Sequence, residues 1–364
     1  MAERDEEFMR RALRLARRGR GRVEPNPMVG CVVVRAGEVV GKGYHRRFGG
    51  PHAEVNAIAD AGGEIEGGTV YVTLEPCSHT GKTPPCVDLL IEQQAARVVV
   101  AMRDPFPDVA GRGVRALRRA GISVEVGVLE DEARELNAPY LKRVRTGRPY
   151  VIAKWAMTLD GKIATVSGDS KWITSDEARA CAHRVRGRVD AVIVGIGTAL
   201  ADDPELTCRL ARPRRVAARV VLDSEARLPA ESKLAQSASE TPVIVATTDA
   251  APNARRAALA ALECRVIELP TNKGRADVSA LLVMLGEEGM TNVLVEGGGE
   301  VLGSFFDAGQ VDEVMVFVGA KVLGGPGLPP VTGEPVDRIA GALAVTDLTA
   351  HRLGDSVLLR GRVR

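Results

Sequence analysis

Aromatic residues are scarce in this chain, 3% of 364 residues. That scarcity excludes a protein dominated by the stacking platforms that hold single-stranded nucleic acid. A charge excess is missing too: 49 Lys and Arg meet 47 Asp and Glu, a formal net charge of +2. A general nucleic-acid binder, or a protein held on anionic membrane, needs more positive charge than that. No apolar run approaches the roughly 20 residues of a membrane-spanning helix. Six cysteines are too few for a disulfide scaffold in a chain this long and fit a reducing, cytoplasmic setting. The stretch Met1 to Arg20 is basic, but Glu3, Asp5, Glu6 and Glu7 interrupt it and it lacks the apolar core of a targeting signal. Phe8, Ala12 and Leu15 recur at helical spacing, as do Met9, Leu13 and Ala16, so it reads as an amphipathic first helix.

What is present is alternation. Gly30–Val34 and Glu38–Tyr44 read as a hairpin around Ala36-Gly37, and His52–Ala61 reads as a helix closed by Gly62-Gly63. Strands at Thr69–Leu74, Arg97–Met102 and Ile122–Val126 alternate with helices at Val87–Gln94 and Gly113–Ala120. A helical pattern over Leu129–Val144 must kink or split at Pro139. The turn-rich Arg145-Thr146-Gly147-Arg148-Pro149 then places a domain boundary, giving domains 1–147 and 148–364. The second restarts the alternation, with strands expected at Tyr150–Trp155, Asp190–Val194, Arg219–Leu222, Val243–Ala246, Arg265–Glu268, Asn292–Glu296 and Glu313–Val318. Its helices fall at Ser175–Arg186, Val278–Glu288 and Glu300–Ala308, and Gly324–Gly333 reads as a loop. Both halves are therefore α/β.

The chemistry concentrates in two short strings, His52-Ala53-Glu54 and Pro76-Cys77 through Pro85-Cys86. His52, Cys77 and Cys86 give the three protein ligands of a catalytic zinc that keeps one position open. Residues two apart point to opposite sides in mid-helix, so His52 and Glu54 share a site only where the chain enters a helix. Gly49-Gly50-Pro51 suits that entry. Cys86 likewise follows Pro84-Pro85 and opens a helix, whose dipole favours the thiolate that zinc requires. Glu54 then takes a proton from water and passes it to departing ammonia, the role of the glutamate in His-x-Glu and Pro-Cys-x-x-Cys deaminases. Here eight residues separate the cysteines instead of two. That longer loop carries His79 and Lys82, donors suited to a phosphate or sugar. Asn26, held between Pro25 and Pro27, can read a ring edge, and His45 can meet sugar or phosphate. A closed structural zinc site is the bland alternative, and it would not need Glu54.

In the second half, Val293–Glu296 runs into Gly297-Gly298-Gly299 and a helix, a cradle of backbone N–H groups for an anion. Lys154 stands on a strand, and Arg186 and Arg209 can fork onto a phosphate. These pieces read as a phosphate- or nucleotide-binding domain, and no reaction follows from them alone.

Taken in order, the strings resemble the bifunctional deaminase/reductase family of riboflavin biosynthesis. The resemblance covers nearly the whole chain. It runs through Pro25–Cys31, Pro51–Glu54, Leu74–His79 to Cys86, Thr146–Pro149, Lys154–Lys162, Trp172–Ser175, Leu200–Pro204 and Glu296–Gly298. The long cysteine loop is a feature of that family. The resemblance implies a cytidine-deaminase-like three-layer N-terminal domain and a dihydrofolate-reductase-like C-terminal domain. It implies Zn2+ and NADPH as cofactors and a phosphorylated pyrimidine as substrate, which is first deaminated and then reduced in its ribosyl unit. By matched positions, His52, Cys77 and Cys86 hold zinc and Glu54 moves the proton, while Asn26, His45, His79 and Lys82 contact the deaminase substrate. In the reductase half Ser170, Arg186, Leu206, Arg209 and Glu296 resemble substrate contacts, and Lys154 helps hold the reacting sugar. Ala156, Trp172, Thr198, Asp202 and Ser224 resemble NADPH contacts, with the turn formed by Gly298, Gly299, Glu300, Val301, Leu302, Gly303 and Ser304. A homo-oligomer, dimer or tetramer, is the expected assembly, with no nucleic-acid or membrane partner. The competing expectation is a zinc deaminase of another nucleobase or nucleotide with a phosphate-binding accessory domain.

Overall fold

The computed structural model describes residues 2–78, 84–107 and 109–363. The chain divides into two compact units, Met1–Gly147 and Arg148–Arg364.

The first unit opens with helix α1 (Ala2–Ala16), followed by a hairpin of β1 (Gly30–Arg35) and β2 (Glu38–Tyr44). Ala36 and Gly37 turn that hairpin, both at positive φ, the geometry that matches strand twist. Then come α2 (Ala53–Asp60), β3 (Thr69–Val72), α3 (Cys86–Glu92), β4 (Arg97–Val100), α4 (Arg112–Arg119) and β5 (Ser123–Val126). Two helices close the unit, α5 (Glu130–Leu136) and α6 (Ala138–Thr146). They are separate because Pro139, which has no N–H to donate, stands in the first turn of α6.

The strands order as β2-β1-β3-β4-β5, with β1 antiparallel to both neighbours and β3, β4 and β5 parallel. Side-chain alternation sorts the apolar residues onto two faces. Val32, Val34, Tyr71 and Val99 pack against Phe8, Met9 and Leu13 of α1 and against Ala133, Leu136 and Leu141. Cys31, Val33, Val70, Val72 and Val98 pack against Ala53, Ala57, Leu90 and Leu117 of the other three helices. The unit is thus three layers, helices on both sides of one sheet. Helix α2 lies so close on β2 that a Cβ at Gly43 would sit 2.4 Å from the Ala53 carbonyl oxygen. Only glycine permits that approach, which fixes where α2 begins.

The second unit contains β6 (Tyr150–Met157), β7 (Ala164–Thr165), α7 (Asp176–Arg186), β8 (Ala191–Gly195), α8 (Ile196–Asp202), β9 (Ala218–Leu222) and α9 (Lys233–Gln236). It continues with β10 (Val243–Thr247), α10 (Asn253–Ala261), β11 (Arg265–Glu268), β12 (Thr271–Asn272), β13 (Arg275–Ala276), α11 (Val278–Glu287) and β14 (Asn292–Val295). Last come α12 (Gly299–Asp307), β15 (Glu313–Gly319), β16 (Gly327–Leu328), β17 (Val345–Leu353) and β18 (Ser356–Val363). A nine-stranded sheet orders them β11-β10-β9-β8-β14-β6-β15-β18-β17. It is parallel from β11 to β15 and ends in an antiparallel hairpin, β18 and β17. The region expected as a loop after Gly324 includes β16, which pairs with β7 as a short ribbon. Helices α11 and α12 cover one face through Leu281, Leu285, Leu302 and Phe305. The other face is closed by Ile196, Leu234 and Leu259 and, near β15, by Ala178 and Ala182 of α7.

Candidate functional site

In the first unit, the helix entries do what the prolines and glycines before them predict. His52 is the residue preceding α2, with extended backbone, and Glu54 falls in the first turn. Cys86 is the first residue of α3, after Pro85. Cys77 sits on the segment that leaves β3. The His52 Nδ1 atom is 3.3 Å from Cys86 Sγ and 3.5 Å from Cys77 Sγ. All three ligand atoms lie within 4.8 Å of one another. Tetrahedral zinc with ordinary Zn–S and Zn–N bonds separates such N and S atoms by about 3.6 Å. The donor set, one imidazole and two thiols, therefore fits zinc in chemistry and in span.

Electrostatics around the cluster are uneven. The Cys86 thiol and the His52 imidazole stabilise a thiolate at Cys77 and pull its pKa down. Cys86, next to that thiolate and buried, is pushed up. Glu54 is 3% exposed. Burial, reinforced by the Cys77 charge, raises its carboxyl to about 7. A carboxyl near neutrality both accepts and releases a proton at working pH.

Asn26 and His45 are brought together beside this cluster. The His45 ring lies edge-on to His52, with centroids 5.6 Å apart. His45 Nδ1 donates to the Pro51 carbonyl at 3.1 Å, and Nε2 accepts from Asn26 Nδ2 at 3.4 Å. Burial lowers its pKa. His45 is only 3% exposed. Both ring nitrogens are thus occupied within the protein, which departs from the expectation of a sugar or phosphate donor. His79 and Lys82 lie outside the described residues.

In the second unit the candidate residues gather where the parallel strands end, the usual place for ligands in such sheets. Glu296 follows β14, Thr198 is in α8 just after β8, and Ser224 follows β9. Glu296 accepts from Arg186 Nε at 2.6 Å and Nη2 at 2.9 Å, and from Lys154 Nζ at 3.1 Å. Burial alone would raise that carboxyl, but Arg186 and Lys154 outweigh it and hold it well below the usual range. Glu296 thereby positions two cations, with both its oxygens engaged. Arg209 is half exposed and pairs with Glu205 at 2.9 Å.

His183, which the sequence motifs do not single out, supports this cluster. His183 Nδ1 accepts from the Arg209 backbone N–H at 3.0 Å. Burial and the adjacent Arg186 and Arg209 lower its pKa to about 4, so it stays neutral. Asp160 accepts from Thr158 Oγ1 and from the N–H groups of Leu323 and Gly324, joining two loops. His183 is 26 residues from Arg209, whose backbone it binds, so nothing local in the sequence marks that role.

Around the glycine turn, Gly298 N donates to Thr198 Oγ1 at 3.1 Å. Trp172 is 60% exposed, with the Arg179 guanidinium 4.4 Å from its ring centroid. Lys171 Nζ is 3.2 Å from Asp202. Ser170 is half-buried on the loop after β7, and Ala156 is half-buried in β6. Ser224 Oγ accepts from Ala276 N at 3.1 Å. Three expectations change. Leu302 is fully buried and Leu206 is 3% exposed, each in an apolar core. Gly303 is buried and so close to Thr332 that a Cβ would lie 1.5 Å from its carbonyl oxygen. Their side-chain faces are filled by protein, so the accessible part of the glycine turn is exposed Glu300 with half-buried Gly298, Gly299, Val301 and Ser304.

A three-layer unit with a His-Cys-Cys cluster, joined to a nine-stranded unit of the dihydrofolate-reductase type, defines a deaminase fused to a reductase. Residues 2–102 match the cytidine and deoxycytidylate deaminase zinc-binding region. Residues 149–359 match the RibD C-terminal domain. Riboflavin biosynthesis protein RibD of Escherichia coli is 42% identical over 98% of both chains. That of Aquifex aeolicus is 44% identical over 88% of both. Among solved structures, Acinetobacter baumannii RibD matches with a TM-score of 0.88 and 37% identity over 100% of both chains. A deaminase/reductase from Thermotoga maritima matches at 0.85 and 39% identity, over 100% of this chain and 99% of that one. The chain belongs to the RibD family of riboflavin biosynthesis. As a member it is a bifunctional deaminase and reductase with zinc and NADPH as cofactors.

Proposed function

We propose that the first unit deaminates 2,5-diamino-6-ribosylamino-4(3H)-pyrimidinone 5′-phosphate and that the second reduces the ribosyl unit of the product to ribityl. The observation that carries the first step is the placement of His52, Cys77 and Cys86 within 4.8 Å of one another, with buried Glu54 in the same helical turn as His52. Bound zinc supplies a water acidified to near-neutral pKa. Glu54 takes the proton from the attacking water and returns it to the departing amine. Asn26 meets the ring edge, and His45, neutral and doubly bonded, holds Asn26 in orientation. His79 and Lys82 meet the sugar phosphate. In the second unit Arg186 and Lys154, held by Glu296, meet the ribosyl phosphate chain with Arg209 and Ser170, and Lys154 orients the reacting sugar. Ala156, Trp172, Thr198, Asp202, Ser224 and the start of α12 would hold NADPH, which would supply the hydride.

The test separates the two halves. Glu54→Ala keeps about one zinc per chain, and ammonia release falls at least about a hundredfold. The same variant, given deaminated substrate, still oxidises NADPH. Wild-type ammonia release in Glu54→Ala would remove the assignment of Glu54.

The chain works as a homo-oligomer in the cytoplasm. The six cysteines are not paired in disulfides, and two of them, Cys77 and Cys86, serve the zinc site. No helix among the described residues is long and apolar enough to cross a membrane. Apolar side chains exposed on the outermost hairpin of the nine-stranded sheet support self-association.

A further inference from the structure

Glu75 stands two residues before Cys77 and is 3% exposed. Among the described residues no arginine, lysine or histidine pairs with it. Its carboxylate is met by backbone instead. Oε2 accepts from Gly111 N at 2.9 Å and from Asp104 N at 3.3 Å, and Oε1 accepts from Val114 N at 3.0 Å. Gly111 and Val114 belong to the start of α4, whose first N–H groups have no partner within their own helix. A carboxylate is the group that such an end favours.

The same helix end presses on the next residue. A Cβ at Gly113 would lie 2.1 Å from the Pro76 carbonyl oxygen, so α4 rests directly on Pro76. Cys77 is gripped from a second helix: Cys86 N donates to Cys77 Sγ at 3.3 Å and Val87 N to the Cys77 carbonyl at 3.2 Å. Glu75 N donates to the Met102 carbonyl at 3.0 Å, tying the segment to the end of β4. The chain from Glu75 to Cys77 is therefore clamped between the starts of α3 and α4.

We propose that Glu75 is a positioning residue: by binding the start of α4 it fixes the backbone that presents Cys77 to the metal. The inference rests on the reading of His52, Cys77 and Cys86 as zinc ligands. It assigns no proton transfer to Glu75. Its charge answers three N–H donors, which the amide of glutamine cannot do. Whichever way that amide is turned, its NH2 faces at least one backbone N–H. The freed segment lets Cys77 shift, and a small shift of a ligand weakens a site whose geometry is set by its surroundings.

The full-length chain is compared as wild type, Glu75→Gln, Glu75→Asp and Cys77→Ser, each with and without zinc. Two readouts are used: the gain in Tm on adding zinc, which measures metal affinity for the folded state, and the rate of zinc loss to a chelator. Glu75→Gln is expected to lose zinc about tenfold faster or more and to show a smaller zinc-dependent gain. NADPH oxidation with deaminated substrate is unchanged. Glu75→Asp keeps the charge but is one methylene too short for all three donors, so it shows the same defect if the glutamine variant does not fold. If the Tm values with and without zinc fall equally, and chelator loss matches wild type, Glu75 is only a helix cap and the inference is overturned. A wild type with no zinc-dependent gain, or a Cys77→Ser variant that binds zinc as well as wild type, overturns the ligand assignment itself and this inference with it.

Discussion

Glu296 shows how one residue sets the behaviour of a site. Its side chain is 5% exposed, with Arg186 at 15% and Lys154 at 17%. A buried carboxylate so enclosed persists only because two cations answer it. Removing its charge leaves two largely enclosed cations with no anion to answer them, so Glu296→Gln is expected to destabilise the second unit by about 3–5 kcal/mol at neutral pH. Denaturant unfolding measures this. The pH dependence has a definite sign. The carboxyl is held below its ordinary value in the folded state. Its contribution is therefore complete above the unfolded value of about 4.3 and is lost as pH falls toward the depressed folded value. Wild type should lose stability steeply below about pH 4, and the glutamine variant less so. An equal acid slope in both proteins would mean that Glu296 is not ionised in the fold.

Helix junctions carry the loops that surround the deaminase site. Asn137 lies between α5 and α6, where an asparagine ordinarily caps its own helix. Here it makes no cap. Its Oδ1 instead accepts from Met28 N at 2.8 Å and its Nδ2 donates to the Met28 carbonyl at 3.0 Å, both buried. Met28 closes the Pro25-Asn26-Pro27 loop, so the junction holds Asn26 from beneath. Asn137→Ala is expected to cost about 2–4 kcal/mol, because it leaves buried backbone groups unpaired. It should also raise KM for deamination more than it lowers kcat, with zinc content unchanged. An unaltered KM would confine Asn137 to stability. Such contacts explain what the sequence could reveal. The entries of α2 and α3 were legible because glycine and proline mark them and the ligands sit at the marked positions. The roles of Glu75, Asn137 and His183 were not, since each acts on the backbone of a segment remote in sequence. Hairpin β17–β18 escaped for another reason. Most of β17 is exposed on both faces, so its sequence carries no apolar–polar alternation for a period of two to reveal.

That hairpin matters at the scale of the whole molecule. β17 is the outermost strand of the nine-stranded sheet, and an open sheet edge invites another chain to pair with it. The edge is blunted in one respect: its register slips between Thr346 and Thr349, where Asp347 has positive φ. A bulge of this kind interrupts the row of free N–H and carbonyl groups, so a continuous sheet across two copies is not favoured along its full length. Side chains offer the better contact. Leu348 is 60% exposed and Val345 42%, with Leu343 at 54% and Ile339 at 92% on the segment leading into the strand. Val345 and Leu348 share one face, since a Cβ at Gly361 would meet both. Apolar groups exposed together gain by being covered, and a second copy related by a twofold axis brings the same patch to meet itself. Sedimentation of wild type is expected to show a dimer or larger assembly, and Ile339→Asp with Leu348→Lys to shift it toward monomer. Glu54 and the Lys154–Glu296–Arg186 cluster lie on other elements, so both activities should survive the change in a variant that stays folded. A wild type that sediments as a monomer at micromolar concentration would leave the patch without the partner assigned to it, whereas an oligomer indifferent to both substitutions would place the contact elsewhere on the chain.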